Sequence, residues 1–394
     1  MNDKPFHDTP AIEDVRQPIR DLPVSLIREV SDLGIGKPGV IPLWFGESDI
    51  TTPEFICDAA KNALDEGDTF YQPNAGIDPL RESLAAYMNR LYGTALTPAH
   101  VTITVSGMNA VMIAMQAIVG AGDHLVSAEP SWPNLTATAR ILGAEVTNID
   151  QTPHPEGWQL DLDHLFDACG PKTRAILINS PANPSGWMME PEAQRAVLDF
   201  VRERGLWIVA DEVYARVVYD RPVAPSFLEV AEDEDRVIVI NSFSKSWAMT
   251  GWRLGWITAP PSIGTIIEKL IEFNIACPPG FIQQAGVTAI EDGEDFIKET
   301  VAGYCDSRDL VVARLGQLSR VMLPYPRAAF YAFFSVDGMG DGFALCRQVL
   351  EETGVGMAPG EAFGDVGKGF IRLCFATRPR LLDEALGKLE PYLR

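Results

Sequence analysis

The stretch "RAILINSPANPSGWMMEPEAQRAVLDFVRERGLWIVADE" (residues 174–212) decides the fold class of this chain. Its two ends, "RAILINS" (174–180) and "LWIVADE" (206–212), are short runs rich in apolar residues, which is typical of buried strands. Between them, "PEAQRAVLDFVRERG" (191–205) repeats its apolar positions with helical spacing and ends on glycine. A strand, a helix and a second strand in this order predict a βαβ unit with both strands parallel in one sheet.

The same alternation continues on both sides of this stretch. The other strand-like runs are "VTITV" (101–105), "HLVSA" (124–128), "AEVTNI" (144–149) and "RVIVINS" (236–242). Helix-like runs, "NAVMIAMQAIVG" (109–120) and "PNLTATARILG" (133–143), lie between them. The sequence therefore predicts an α/β protein with a mostly parallel sheet.

The tail after about residue 290 has a different pattern. A long charged helix is followed by the hairpin-like "AAFYAFFSVDG" (328–338), another helix, the strand-like "GFIRLCFA" (369–376) and a closing helix. This order is typical of a smaller α+β domain. We divide the chain into an N-terminal segment that belongs to the small domain (1–48), a large domain (49–288) and a small C-terminal domain (289–394).

Composition and charge exclude several classes of function. The chain has 394 residues and a formal net charge of −22, which argues against nucleic acids and anionic membranes as partners. Its six cysteines form no CxxC pair, and its five histidines show no ligand spacing, so neither a metal site nor a serine–histidine relay is predicted. The absence of a signal-peptide-like start and of a long apolar run favours a cytoplasmic protein.

One glycine motif has the spacing of a dinucleotide-binding loop but not the strand and helix that should flank it. "GIGKPG" (34–39) matches the spacing of a dinucleotide-binding loop. That loop requires a strand before it and a helix after it, whereas here a helix-like segment precedes it and the strand-like "VIPLWFG" (40–46) follows. We do not predict dinucleotide binding.

The carboxyl ends of the predicted strands carry polar and aromatic side chains. In chain order these ends are "SGMNA" (106–110), "EPSWPN" (129–134), "NSPANPSG" (179–186), "ADEVY" (210–214) and "NSFSK" (241–245). Taken singly, each has an ordinary structural explanation, such as a turn, a core tryptophan or solvated acids. In an open α/β sheet, however, ligands bind beyond the carboxyl ends of the strands. Five such ends in one sheet therefore predict a binding site there.

The sequence neighbours of Lys245 are unusual for a surface lysine. The stretch "SFSKSWAMTGWRLGW" (242–256) surrounds it with serines and three tryptophans, and Arg253 follows eight positions later. These neighbours indicate a partly desolvated amine beside an anion site.

The five ends and Lys245 together match the needs of one cofactor. A Ser/Gly turn that opens a helix, together with Ser242 and Arg253, can bind a phosphate. Trp132 can stack on an aromatic ring, and Asp211 can keep a pyridine nitrogen protonated. Asn183 and Tyr214 can donate hydrogen bonds to a ring oxygen, and Lys245 can form a Schiff base and then move a proton. The cofactor that these groups describe is pyridoxal 5′-phosphate.

Over nearly its whole length the chain resembles the class I/II aminotransferases, which are fold-type I pyridoxal-phosphate enzymes, and within them the branch similar to aspartate aminotransferase. The stretches that carry the resemblance are "FYQPNAGIDPLRESLA" (70–85), "SPANPSG" (180–186), "ADEVY" (210–214), "SFSKSWAMTGWRLG" (242–255), "PGEAFG" (359–364) and "GFIRLCFA" (369–376). The lysine signature with an arginine eight residues later is the most specific of them. The resemblance implies a seven-stranded, mostly parallel sheet in the large domain and ping-pong transamination between an L-amino acid and a 2-oxo acid.

The resemblance also implies a role for each matching residue. Lys245 would be the Schiff-base lysine and proton carrier, with Asp211 and Tyr214 as its catalytic partners. The expected cofactor-binding residues are Tyr71, Gly107, Met108, Asn109, Trp132, Asn183, Asp211, Tyr214, Ser242, Lys245 and Arg253. The expected substrate-binding residues are Gly46, Asn183 and Arg372, because an interior arginine on an apolar strand needs a partner for its charge. Tyr71 would reach the cofactor phosphate of a second subunit, so the resemblance implies a homodimer with shared sites.

Some positions depart from the family pattern. Met108 stands where some aspartate-specific relatives have a lysine, and Ala329 stands where the family often has glycine. Because Met108 cannot pair with a carboxylate, we expect neutral amino acids to be better donors than aspartate, with 2-oxoglutarate or pyruvate as acceptor. An arginine of the N-terminal segment (Arg16, Arg20 or Arg28) remains an alternative source of the missing charge.

Three further alternatives stay open. Trp187 is either a wall of the substrate pocket or a core residue, and Phe45 is a second candidate for that pocket wall. The same scaffold also carries carbon–sulfur lyases and decarboxylases, which break a different bond. A ligand-sensing domain of a transcription regulator uses this scaffold too, but would require a basic DNA-binding helix-turn-helix.

Overall fold

The computed structural model describes residues 11–394, so the first ten residues lie outside this description. Its α-helices are α1 (Gln17–Arg20), α2 (Leu26–Asp32), α3 (Glu54–Asp65), α4 (Asp78–Tyr92), α5 (Gly107–Ile118), α6 (Pro133–Ile141), α7 (Leu162–Asp167), α8 (Pro191–Arg204), α9 (Phe243–Ser246), α10 (Gly264–Ile275), α11 (Gly280–Asp292), α12 (Glu294–Leu315), α13 (Gly342–Thr353) and α14 (Pro379–Leu393). Short 3₁₀ helices span Ala11–Asp14, Pro98–His100, Phe227–Glu229, Pro261–Ile263, Gly360–Phe363 and Asp365–Gly367.

The strands are β1 (Ile41–Pro42), β2 (Val101–Thr104), β3 (His124–Glu129), β4 (Glu145–Asp150), β5 (Thr152–His154), β6 (Gly157–Gln159), β7 (Thr173–Asn179), β8 (Trp207–Asp211), β9 (Val237–Ser242), β10 (Gly255–Thr258), β11 (Val321–Met322), β12 (Tyr331–Val336), β13 (Val355–Gly356), β14 (Ala358–Pro359) and β15 (Phe370–Cys374). Seven of them form one sheet in the order β2-β10-β9-β8-β7-β3-β4. Strand β10 is antiparallel to both of its neighbours, and the other pairs are parallel. The predicted α/β class and the seven-stranded, mostly parallel sheet are confirmed.

Helices cover both faces of this sheet. Along β9, Ile238 and Ile240 pack in the same core cluster as residues of α5, α6 and α10, whereas Val237 and Val239 pack in the cluster that contains residues of α7 and α8. Successive side chains of a strand point to opposite faces, so a run of apolar residues without alternation is buried on both sides. This arrangement leaves the carboxyl edge of the sheet as the place where polar side chains gather.

A second sheet, antiparallel and of four strands, has the order β11-β12-β15-β14. Strand β1 pairs in parallel with β13, and Ile27 and Val30 of α2 are buried in the same core cluster as residues of β12 and β15. The N-terminal segment therefore packs with C-terminal elements. The division at residues 48 and 288 stays a prediction, and its second boundary lies within α11.

Two local features of the sequence have a conformational explanation. Gly36 and Gly39 of "GIGKPG" have φ values of 76° and 79°, and the segment connects α2 to β1 rather than opening a helix. Ala329 has a φ of 55°, a left-handed conformation that glycine adopts without strain, which explains why alanine is a departure there. No helix among residues 11–394 is both long and apolar enough to cross a membrane.

Candidate active site

A cavity of about 280 Å³ lies at the carboxyl edge of the large sheet, where β12, β15 and α2 approach it. Of the predicted site residues, those that line it are Gly46, Gly107, Met108, Trp132, Asn183, Asp211, Tyr214, Ser242, Lys245, Arg253 and Arg372. The other lining residues are Ser25, Ile27, Arg28, Phe45, Val111, Pro133, Asn134, Asn179, Val213, Ser244, Thr250 and Tyr331. The fold thus brings into one cavity residues that lie far apart in the sequence.

Lys245 is presented to the cavity by the short helix α9, which follows β9 directly. Ser242 caps this helix, because its Oγ accepts a hydrogen bond from the backbone N–H of Ser244 at 3.1 Å. The Lys245 amine donates to the carbonyl oxygen of Gly46 at 2.5 Å and lies 5.6 Å from the centroid of the Tyr214 ring. Burial lowers the pKa of this amine to about 8. Near neutral pH it can therefore both hold and release a proton.

Asp211 is the last residue of β8, and only 3% of its surface is exposed. Its carboxylate accepts hydrogen bonds from the side-chain amide of Asn179 at 3.2 Å and from the backbone N–H of Val213 at 3.3 Å. Burial raises the pKa of Asp211 to about 7, although the Val213 N–H and the Lys245 charge lower it. A buried carboxyl group of this kind is suited to receive a further cationic N–H donor.

Arg372 projects from β15 and is 2% exposed. Its Nη1 donates to Asn183 Oδ1 at 2.9 Å, and its Nη2 donates to the carbonyl oxygen of Trp44. The guanidinium lies near the rings of Tyr331 and Phe363, at 4.6 and 4.7 Å from their centroids. No carboxylate of the described chain pairs with it, and its buried Nε lacks a hydrogen-bond partner there. It can therefore receive an anion from a ligand.

Tyr331 is a site residue that the sequence analysis missed. Its hydroxyl lies 2.5 Å from that of Tyr214, and burial raises the pKa of both phenols. A side chain added at Gly46 would collide with the Tyr331 hydroxyl, so the glycine permits the loop to approach. The stretch "AAFYAFFSVDG" predicted a strand that contains Tyr331. Strand alternation alone did not indicate that the Tyr331 side chain points toward the site.

A second candidate site for an anion lies around the start of α5. Ser106 caps this twelve-residue helix by accepting a hydrogen bond from the Asn109 N–H at 3.0 Å, and Gly107 and Met108 line the cavity. Ser242, Ser244 and Arg253 line the same cavity. A helix start has unpaired N–H groups and the positive end of the helix dipole, so this arrangement suits a phosphate.

Two predicted residues lie outside the cavity lining. The backbone N–H of Asn109 is engaged by Ser106, and Tyr71 is 89% exposed on the surface of this chain. Trp187 lines a different cavity together with Tyr325, whereas Phe45 does line this one. Ser244, Thr250 and Asn179 also line the cavity and were missed. Asn179, the last residue of β7, and Ser244, two residues after β9, could have been found from their position at the end of a strand, whereas Thr250 gives no such signal.

Fold and site together define an α/β enzyme of the fold-type I architecture, with a desolvated lysine beside a buried aspartate and two anion sites. Comparison with known proteins agrees. The family model described as Aminotransferase class I and II matches residues 38–389. The chain belongs to the class I and II aminotransferase family.

Similar proteins differ in the substrate that they are named for. The chain is 32% identical to an aspartate aminotransferase of Pyrococcus horikoshii, over 94% of each chain. It is 33% identical to an aromatic-amino-acid aminotransferase of Thermococcus litoralis, over 94% of this chain and 96% of the relative. The crystal structure of an aspartate aminotransferase from Thermotoga maritima superposes with a TM-score of 0.89 at 32% identity, covering 96% and 100% of the two chains. These relatives support pyridoxal-phosphate-dependent transamination. They are named for different amino donors.

Proposed function

We infer that this chain binds pyridoxal 5′-phosphate in the cavity and uses it to move an amino group from an L-amino acid to a 2-oxo acid. The observation that carries this proposal is that three groups line one cavity: a buried carboxyl group (Asp211), a desolvated amine (Lys245) and a buried guanidinium without a carboxylate partner among the described residues (Arg372). Each of these groups has an imperfectly satisfied charge or hydrogen-bonding site, and the cofactor and substrate would satisfy all three.

The residues present fit the proposed cofactor. No cation among residues 11–394 forms an ion pair with Asp211, and a protonated pyridine nitrogen would supply one. The start of α5, with Ser242, Ser244 and Arg253, suits the phosphate, and Trp132 stands at the cavity wall where a ring can stack. When bound, pyridoxal 5′-phosphate supplies an electron sink that stabilises negative charge at the substrate Cα.

Tyr214 and Asn183 bind the ring oxygen of the cofactor in this proposal. Tyr331 positions the Tyr214 hydroxyl through the 2.5 Å contact between the two phenols. Asn183 accepts from Arg372 through Oδ1, so its side-chain NH₂ remains to donate toward the ring. One amide thus orients both the substrate-binding arginine and the cofactor.

Arg372 binds the substrate α-carboxylate with its two-pronged guanidinium, helped by the backbone of Gly46, which lines the same cavity. Lys245 would hold the cofactor covalently and, as a free amine, would take the proton from the substrate Cα and carry it to the cofactor side. Its pKa of about 8 suits both steps, because the neutral amine is well populated near pH 7 to 8. The reaction as a whole would convert the amino acid into its 2-oxo acid and pass the amino group, by way of the cofactor, to a second 2-oxo acid.

The proposed assembly is a homodimer in which Tyr71 of one subunit reaches the phosphate bound by the other. The support is that Tyr71 and the adjacent Phe70 are 89% and 81% exposed on this chain, which is unusual for large aromatic residues. The proposed donors are neutral amino acids, because Met108 lines the cavity with an apolar side chain.

An acceptor-dependence experiment tests the reaction. The cofactor-loaded enzyme is incubated with alanine, leucine, phenylalanine or aspartate, with and without 2-oxoglutarate or pyruvate. Transamination predicts that sustained turnover requires the acceptor and that no ammonia is released. Ammonia and 2-oxo acid formed in many turnovers without an acceptor would instead identify a lyase.

A further inference from the structure

The contact between Tyr214 and Tyr331 joins two hydroxyl groups that have no other hydrogen-bond partner among residues 11–394. Their oxygens lie 2.5 Å apart. Both side chains line the cavity and both residues are buried, with 3% and 0% of their surfaces exposed. A neutral phenol has one proton to donate and can also accept, so one tyrosine of the pair is the donor and the other is the acceptor.

Packing holds the ring of Tyr331 in one place. Tyr331 is the first residue of β12, and its register partner in β15 is Cys374. The guanidinium carbon of Arg372 lies 4.6 Å from the centroid of its ring, and the ring of Tyr214 meets it edge-on with the centroids 5.7 Å apart. A fully buried ring with neighbours on several sides cannot turn away from its partner at low cost. The Tyr331 hydroxyl is therefore a fixed part of the cavity wall.

Both phenols keep their protons near neutral pH. Burial raises the pKa of each hydroxyl, although the charge of Arg372 lowers it. The other ionisable side chains close to the pair come from the loop after β1, from α9 and from β15, and they are Glu47, Lys245 and Cys374. The contact is thus one between two neutral hydroxyl groups.

The role proposed for Tyr214 fixes the direction of this contact. If Tyr214 donates its one proton to the ring oxygen of the cofactor, its own oxygen is left to accept from Tyr331. A hydroxyl that accepts a hydrogen bond becomes a stronger donor. Stronger donation withdraws negative charge from the ring oxygen, and this charge favours a proton on the nitrogen that joins Lys245 to the cofactor.

We propose that Tyr331 is a positioning residue that donates to Tyr214, strengthens the donation of Tyr214 to the cofactor ring oxygen, and so lowers the proton affinity of the nitrogen that joins Lys245 to the cofactor. This inference rests on the proposed function for the cofactor and for Tyr214. It makes a residue of the small sheet, which does not touch that nitrogen, a determinant of its protonation.

Absorbance titration of the enzyme loaded with pyridoxal 5′-phosphate tests this role without turnover, because the visible band of the cofactor changes when that nitrogen loses its proton. Tyr331→Phe keeps the ring and removes the hydroxyl, so the pKa read from the band rises by about half a unit. Tyr214→Phe raises it further. Replacement of Tyr331 by 4-aminophenylalanine keeps an N–H donor at the same place and restores much of the wild-type value.

Tyr219→Phe is the matched control. Tyr219 packs against the same core as Tyr331, but its hydroxyl donates to the carbonyl oxygen of Ala329. Its loss leaves the titration as in the wild type. In a Tyr214→Phe background, Tyr331→Phe adds no further rise, because the effect of Tyr331 passes through the Tyr214 hydroxyl.

The outcomes separate this inference from the proposed function. A Tyr331→Phe titration equal to that of the wild type, or a rise that persists in the Tyr214→Phe background, would overturn the role of Tyr331 while the cofactor site stands. A wild type without a cofactor band that depends on Lys245 would overturn both. If Tyr331→Phe does not fold, 4-fluorophenylalanine at position 331 fills the space without donating and decides between the same outcomes.

Discussion

The two ends of the cavity are built in different ways. At the cofactor end, Ser242, Ser244, Lys245 and Arg253 come from a single strand–helix turn and the residues that follow it. At the substrate end, Arg372 contacts Trp44 across 328 positions of the chain and Asn183 across 189. Local backbone geometry places these four residues of the cofactor end, whereas the substrate end depends on how α2, the small sheet and the segment after β8 share one core. Substitutions at the first should therefore impair cofactor chemistry, and those at the second should impair substrate affinity.

The largest effect is expected at the cofactor end. Lys245→Ala removes both the covalent link and the proton carrier, so turnover should fall by several orders of magnitude. Lys269→Ala, which changes an exposed lysine of α10, should leave turnover as it is. Borohydride treatment of the loaded enzyme, followed by peptide mass spectrometry, should find the cofactor on Lys245. Finding it on another lysine would refute the site.

A smaller and more selective loss is expected at the substrate end. Arg372→Lys replaces a two-pronged donor with a point charge, so kcat/KM for every amino acid should fall roughly a hundredfold. The affinity for the cofactor, measured by fluorescence titration, should change much less. Arg380→Lys on the exposed start of α14 is the control. A cofactor affinity that falls as far as kcat/KM would show that the two ends are not separable.

Subunit mixing tests whether the cofactor end is completed by a second chain. Tyr71→Phe subunits mixed with Lys245→Ala subunits form hybrid dimers that contain one site with both native residues. At random exchange about a quarter of all sites are then native, so activity should rise above the mean of the two parents. Native mass spectrometry verifies the exchange. Proven exchange without any gain in activity would place Tyr71 outside the shared site.

Donor preference should change more modestly. The wild type should have higher kcat/KM for alanine, leucine and phenylalanine than for aspartate with one fixed acceptor, and Met108→Lys should shift this preference roughly tenfold toward aspartate. Met108→Leu keeps an apolar side chain and serves as the control. A wild-type kcat/KM for aspartate well above the other three would refute the preference for neutral donors.

The smallest effect concerns the stability of the cofactor-free protein. Burial raises the pKa of Asp211 to about 7, whereas the pKa of an aspartate in the unfolded chain is about 4. The folded state therefore binds an extra proton between these values, and Asp211 makes stability fall as pH rises from about 4 to about 7. Asp211→Asn should flatten this slope, shifting the difference in Tm between pH 5 and pH 7.5 by a few degrees. An unchanged slope would mean that Asp211 is ionised in the cofactor-free fold.

Most of the cofactor end could be predicted from the sequence because its residues lie at the ends of strands or shortly beyond them. Such positions in a parallel sheet lie at its carboxyl edge, so Asp211, Asn183, Ser242 and Lys245 could be placed together without coordinates. Tyr331 could not be placed in this way. It lies in the small sheet, and its hydroxyl meets that of Tyr214 because this sheet shares one core with the segment after β8.

The sequence by itself determined the fold class, the lysine and its motif, and the nature of the chemistry, because these depend on periodicity and on residues close together in the chain. Only the tertiary structure decided which of the N-terminal arginines lines the cavity, that Phe45 lines it while Trp187 does not, and which carbonyl oxygens receive Lys245 and Arg372. These contacts join segments separated by up to 328 residues. Their geometry follows from the core that α2, the small sheet and the segment after β8 share, and local sequence patterns carry no information about how these elements pack.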